Sequence, residues 1–205
     1  MTQHHTITGL DQVKGELALI KKTLEADDEN REKIIKISRN IVRPSKHAIH
    51  ALHRGENEKA KELLDTASQS IEEAYKLIDE SQFNTVGAFG AGIEEYVEAK
   101  SYYLFLTEKR LPARNDLGLS FDIPQNKYLL GLCDLPGELA RKAVLYAIED
   151  NKEGVAEIHA VIEQMVEALL QFDFRTGEYR KKIESVKYQL TKVQDILYDL
   201  HIKKS

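Results

Sequence analysis

Tryptophan is absent from this 205-residue chain, cysteine occurs once and proline only four times. The lone Cys133 excludes an intramolecular disulfide and suits a reducing cytoplasm. So little proline leaves long helices almost unpunctuated. No apolar run approaches the roughly 20 residues that span a bilayer, and Met1 to Leu10 lacks the basic-then-apolar order of an export signal. A soluble, cytoplasmic chain with no membrane partner is therefore expected. Basic charge is not in excess either: 29 lysines and arginines face 34 acidic residues, a formal net charge of −5. That balance argues against indiscriminate coating of nucleic acid, although a local basic stripe remains compatible with it. Nowhere does strand-like alternation extend beyond a few residues.

What is present is helical periodicity. Hydrophobic residues make up 42% and charged residues 31%, enough apolar content to bury a core and too much for a disordered chain. Apolar and charged residues recur at helical spacing, most clearly in Ile183, Val186, Leu190, Val193, Leu197 and Leu200, which alternate steps of three and four. The pattern predicts helices over about 10–54, 56–79, 84–110, 125–149, 152–172 and 177–202. The first is open to interruption at Asp27-Asp28 and to a bend at Pro44, with Gly55 as its stop. Residues 111–124, with two prolines and Asn115-Asp116-Leu117-Gly118, form the one long loop. The expected architecture is all-α: a single-domain antiparallel bundle of about six to seven helices over residues 1–205. The C-terminal apolar seam argues for more than one subunit.

Two acidic pairs stand out. Glu95 and Glu98 are three apart and share a helix face with Ala88, Ala91, Tyr102 and Phe105, a small and aromatic strip. Two like charges on such a strip need a cation or a proton, and hard divalent cations such as magnesium take carboxylate oxygens. A solvated face fits too, since Glu29 and Glu32 show the same spacing in a plainly charged stretch. Asp134 and Glu138 are four apart beside Gly131 and Gly137, glycines that let another helix approach closely. Read from these residues alone, Asp134 is better taken as an N-cap, with Leu135-Pro136-Gly137 starting a helix.

Lys36, Arg39, Arg43, Lys46, His50 and His53 step by three or four and form a basic stripe, distinct from the apolar face of Ile34, Ile37, Ile41, Ala48 and Leu52. Such a stripe suits a phosphate backbone and also an ordinary solvated face. His47, His50 and His53 fan over too wide an arc to converge on a transition metal. Gly87, Gly90 and Gly92 follow no strand and precede no Lys-Ser/Thr, so close helix packing explains them better than a phosphate loop. Cys133 has no histidine near it in sequence to support a nucleophilic role.

Glu95-Tyr96-Val97-Glu98-Ala99 and Tyr128-Leu129-Leu130-Gly131-x-x-Asp134-Leu135-x-Gly137-Glu138-Leu139 resemble the Trax branch of the translin/Trax family. Lys36-x-Ser38-Arg39, Leu52-His53-Arg54 and Leu190-x-Lys192-Val193-x-x-x-x-Tyr198-x-Leu200 extend the resemblance over nearly the whole chain. It implies a seven-helix, all-α subunit that assembles into a closed oligomeric shell around nucleic acid. It also implies magnesium-dependent endoribonuclease activity on single-stranded RNA, with manganese as an alternative ion and DNA as a second polymer. By motif, Glu95, Glu98 and Asp134 become catalytic metal-binding carboxylates, and Glu138 completes the shell. The assembly implied is a homo-oligomer or a hetero-oligomer with a translin-like subunit. Two departures stand out. Pro136 removes a helix hydrogen bond to Leu132, predicting a mild kink with the site intact. The arginine- and histidine-rich patch of translin-type members is missing near Gln82-Phe83-Asn84.

Two further classes remain: a non-enzymatic RNA- or DNA-binding shell, and an all-helical nucleotide pyrophosphatase with a Glu-x-x-Glu pair. Four acids facing phosphate serve no purpose in the first, and the second expects another pair spaced by three, not the four of Asp134 and Glu138. A ferritin-like di-iron bundle wants Glu-x-x-His, which is lacking.

Overall fold

A computed structural model of the chain describes residues 9–77, 86–174 and 177–202. Six α-helices occur among these residues, with no strand: α1 (Leu10–His53), α2 (Asn57–Tyr75), α3 (Gly87–Glu108), α4 (Gln125–Ile148), α5 (Lys152–Leu169) and α6 (Glu178–Ile202). The missing patch near Gln82-Phe83-Asn84 lies outside the described residues, as do the ends expected at 79 and 84. No helix among the described residues is long and apolar enough to cross a membrane.

α1 runs 44 residues without a break at Asp27-Asp28 or at Pro44. Pro44 forfeits one backbone hydrogen bond. Packing keeps the helix whole, because Ile41, Ser45, Ala48, Ile49 and Leu52 around it are buried. Ser38 Oγ and Ser45 Oγ donate to the carbonyls of Ile34 and Ile41 at 2.7 and 2.8 Å, so neither buried hydroxyl lacks a partner. Gly55, at φ +77°, takes the left-handed conformation that turns the chain into α2. Residues 10–29 of α1 are exposed throughout.

α2 lays Ala60, Leu64, Ala67, Ile71 and Ala74, at steps of three and four, into the core. α3 is the central helix, in contact with α1, α2 and α4; α4 in turn packs on α5 and α6, which pack on each other. Side chains from all six helices join one hydrophobic cluster. The loop before α4 is pinned rather than free. Leu117 and Ile123 are buried, Tyr96 Oη donates to the Leu117 carbonyl at 2.9 Å, and Phe121 stacks on Tyr75 at 3.6 Å.

Two expectations about α4 and α6 need revision. Asp134 is no N-cap: α4 starts nine residues earlier, at Gln125, and runs unbroken through the buried Pro136. In α6, Ile183, Val186, Val193 and Leu200 are buried, and Leu190 and Leu197 pack against the same core. The seam that argued for several subunits is therefore used within the chain, on α4 and α5.

Candidate acidic metal centre

The site begins with a glycine. A Cβ on Gly131 would lie 2.5 Å from the Glu94 carbonyl oxygen and 2.8 Å from Val97 Cβ, so only glycine lets α4 approach α3 this closely. One and two turns further along α4 come Asp134 and Glu138, facing the turn of α3 that carries Glu95 and Glu98. Gly137, in contrast, has nothing within 4 Å of its Cβ position and is not needed for packing. The strip beside the α3 pair is graded: Ala88 and Ala91 are exposed, whereas Tyr102 and Phe105 are buried.

Electrostatics show that the four acids form one group. The Glu98 carboxyl is pushed up to about 8, first by burial and then by the charges of Asp134, Glu95 and Glu138, with Lys182 opposing. At neutral pH Glu98 thus holds a proton for much of the time. Among the described residues it has no hydrogen-bond or ion-pair partner. Each of the other three has a basic one. Lys46 Nζ of α1 lies 3.0 Å from Glu95 Oε1, and His53 Nε2, at the end of α1, lies 2.5 Å from Glu138 Oε2. Lys182 Nζ of α6 donates to both Asp134 oxygens at 2.5 Å. Four helices therefore meet at this point.

The histidine is fixed from behind. Tyr102 Oη lies 3.2 Å from His53 Nδ1. Burial, then the Glu138 charge, drives the Tyr102 hydroxyl far above its ordinary range, so it keeps its proton. It donates to Nδ1, which leaves neutral His53 with its N–H on Nε2, aimed at Glu138. The His53 hydrogen bond is in turn the main cause holding Glu138 below its ordinary value; burial opposes, and the Arg141 charge assists.

Helical spacing grouped six residues into one basic stripe. Lys36, Arg39, Arg43, Lys46 and His50 are indeed exposed. His53 is turned inward, its side chain 6% exposed. Spacing also gave no hint of Lys182, nor of the Lys127–Glu94 ion pair at 2.6 Å beside the centre. Both pairs cross between helices, and only a bias toward basic residues at the start of α6 (Arg180, Lys181, Lys182) was there to be noticed. Cys133 is buried, and its thiol is pushed up to about 11 by burial and the Asp134 charge, with Lys182 opposing, so it is poorly nucleophilic.

The donor set suits a hard divalent cation: oxygen ligands only, mutually repelling, with Glu98 pushed toward its protonated form by burial and the charges around it. As placed, however, the carboxylates are matched to lysine and histidine partners rather than gathered round one point. Among the described residues no three of His, Cys, Asp and Glu stand close enough to hold a metal ion. The residues fit the ion in chemistry and charge, and binding requires their partners to yield.

The Translin family profile matches residues 29–204. An uncharacterized protein of Methanocaldococcus jannaschii is 30% identical over 78% of this chain and 70% of its own length. Translin-associated protein X of Mus musculus is 25% identical over 90% of this chain and 77% of its length. Among solved structures, AfC3PO in complex with duplex RNA superposes with a TM-score of 0.79 at 22% identity, covering 92% of this chain and 97% of that one. Apo-NeC3PO gives 0.76 at 21% identity, covering 96% and 100%. At these identities the structural likeness establishes the helical fold.

Proposed function

The chain belongs to the Translin family, and on that premise we propose that it is a magnesium-dependent endoribonuclease that hydrolyses phosphodiester bonds of single-stranded RNA inside an oligomeric shell in the cytoplasm. The observation that carries this reading is the meeting of Glu95, Glu98, Asp134 and Glu138 where α3 and α4 touch at Gly131, with Glu98 feeling the other three charges. These four would hold the ion, magnesium or manganese. When bound, the metal supplies a Lewis acid that activates water for attack on phosphorus and offsets charge on the phosphate oxygens. Glu138 is oriented by His53, which Tyr102 holds in one tautomer. The exposed Lys36, Arg39, Arg43 and His50 lie on the same helix as Lys46 and His53 and would draw the RNA backbone along α1 toward the centre. RNA as the polymer is supported by the duplex RNA bound to AfC3PO, and DNA is a second polymer for the same basic stripe. The subunits would be copies of this chain, or this chain with a translin-like partner.

The test is incubation of the purified protein with labelled single-stranded RNA, with and without magnesium, beside Glu98→Ala. Magnesium-dependent cleavage is expected, reduced on the order of a hundredfold or more by the substitution. Intact RNA in every lane sinks the nuclease reading and promotes a non-enzymatic binding shell. Cleavage that survives Glu98→Ala removes the site assignment. Hydrolysis of nucleoside triphosphates in the same buffer would instead favour a pyrophosphatase.

A further inference from the structure

Two lysines and a histidine bond the acids of the centre, and they are not equivalent. His53 is buried, and its second nitrogen is tied to Tyr102, so it has no freedom to leave Glu138. Lys46 touches a single oxygen of Glu95 from a side chain that is 54% exposed, the kind of contact that contributes little. Lys182 differs from both. Its ammonium bridges Oδ1 and Oδ2 of Asp134 at 2.5 Å each, the position that a cation chelated by that carboxylate would take. Against the cost of burial, the nearby Glu94 carboxylate adds its charge to Asp134's in holding it there. One carboxylate edge has room for one cation.

Lysine is also suited to leave. Its charge sits on a flexible four-carbon stem, and beside the pair opens a cavity of about 620 Å³ lined by Gly177, Glu178, Lys181 and Ser185 as well as Asp134 and Lys182. Lys182 stands in the second turn of α6, so its stem alone can swing into that space while the helix stays docked through Ile183 and Val186.

We propose that Lys182 is an exchangeable counter-ion of the acidic centre: its ammonium holds the Asp134 carboxylate until a divalent cation takes both oxygens, whereupon the side chain turns into the adjoining cavity. The inference rests on the proposed metal dependence and assigns a positioning residue to it. Lys182 and the metal compete for Asp134, so each weakens the other's hold, by reciprocal coupling.

Manganese binding to the full-length protein, followed by electron paramagnetic resonance and by the shift in melting temperature, tests this without reference to catalysis. Lys182→Met should bind manganese about tenfold more tightly than the wild type. It should melt lower without the ion and gain more on its addition, while Lys182→Arg keeps the competing charge and stays near the wild type. In the wild type, manganese should raise amine labelling of Lys182 severalfold and leave that of Lys59, an exposed lysine of α2 paired with Glu62, unchanged; this arm holds even if Lys182→Met fails to fold. Equal or weaker binding by Lys182→Met, or labelling unmoved by manganese, overturns the exchange while leaving the nuclease reading standing. A wild-type protein that takes up no manganese overturns both.

Discussion

Glu98 concentrates the electrostatic cost of the acidic centre, because three carboxylates face it and no side-chain cation bonds to it. Its folded value of about 8 lies above the ordinary 4.5, so the folded chain retains a proton that the unfolded chain releases. Stability from this group is therefore intact below about pH 4.5 and is lost as pH rises toward 8. In chelator, urea unfolding should show Glu98→Gln and the wild type nearly equal at about pH 4, with the variant progressively more stable as pH rises toward 8, by roughly 2 kcal/mol or more. A gap that does not widen with pH removes the charge argument. The same neighbourhood shows what spacing reveals about single residues. Glu95 and Glu98 were legible because a step of three belongs to one helix. Asp134 was not, since Leu135-Pro136-Gly137 reads locally as a helix start, and packing of α4 on α3 and α6 overrides that preference. His53 carried the right spacing for the basic stripe, yet a hydrogen bond to Tyr102 and another to Glu138, 49 and 85 residues away, turn it inward.

Between elements, the decisive contact is the α3–α4 crossing. Gly131→Ala would set a methyl group against the Glu94 backbone carbonyl, which lies within a helix and has nowhere to move. A loss of about 1–3 kcal/mol is expected, with weaker metal binding because the two acidic pairs are forced apart. Gly137→Ala, six residues along the same helix, meets no atom within 4 Å and should instead stabilise by about 0.5–1 kcal/mol through helix propensity. Thermal melts of the two variants side by side decide it: similar changes in both would show that Gly131 is not the close approach. Helix number and most helix ends were legible from periodicity, since each helix buries a stripe at steps of three and four. Continuity through Pro44 was not, because it depends on how thoroughly the neighbouring turns of α1 are buried. The two glycines of α4 look alike in sequence, and only the partner helix separates them.

At the scale of the whole molecule, the proposed shell needs a contact surface, and α6 does not offer its apolar seam. Val186 is fully buried within the chain. The unmatched seam is at the other end: Leu10, Val13, Leu17, Ile20 and Leu24 step by three and four along α1 and are all exposed. Residues 10–29 extend about 30 Å with no packing partner among the described residues, and an isolated helix of that length is marginal in water. A second copy of the arm would supply what is missing. Laid side by side and parallel, two such arms would bring Glu16 of one opposite Lys21 of the other, flanking the seam as charged pairs do in a two-stranded coil. Leu17→Glu combined with Ile20→Glu should therefore reduce the assembled mass in sedimentation while leaving the helical signal and melting of the bundle nearly unchanged. Val186→Glu should do the reverse and unfold the subunit, because a charge buried at that core position of α6 has no partner. If the double α1 variant sediments like the wild type, the subunits meet through some other face; if Val186→Glu dissociates the assembly without unfolding the subunit, α6 belongs to the interface after all.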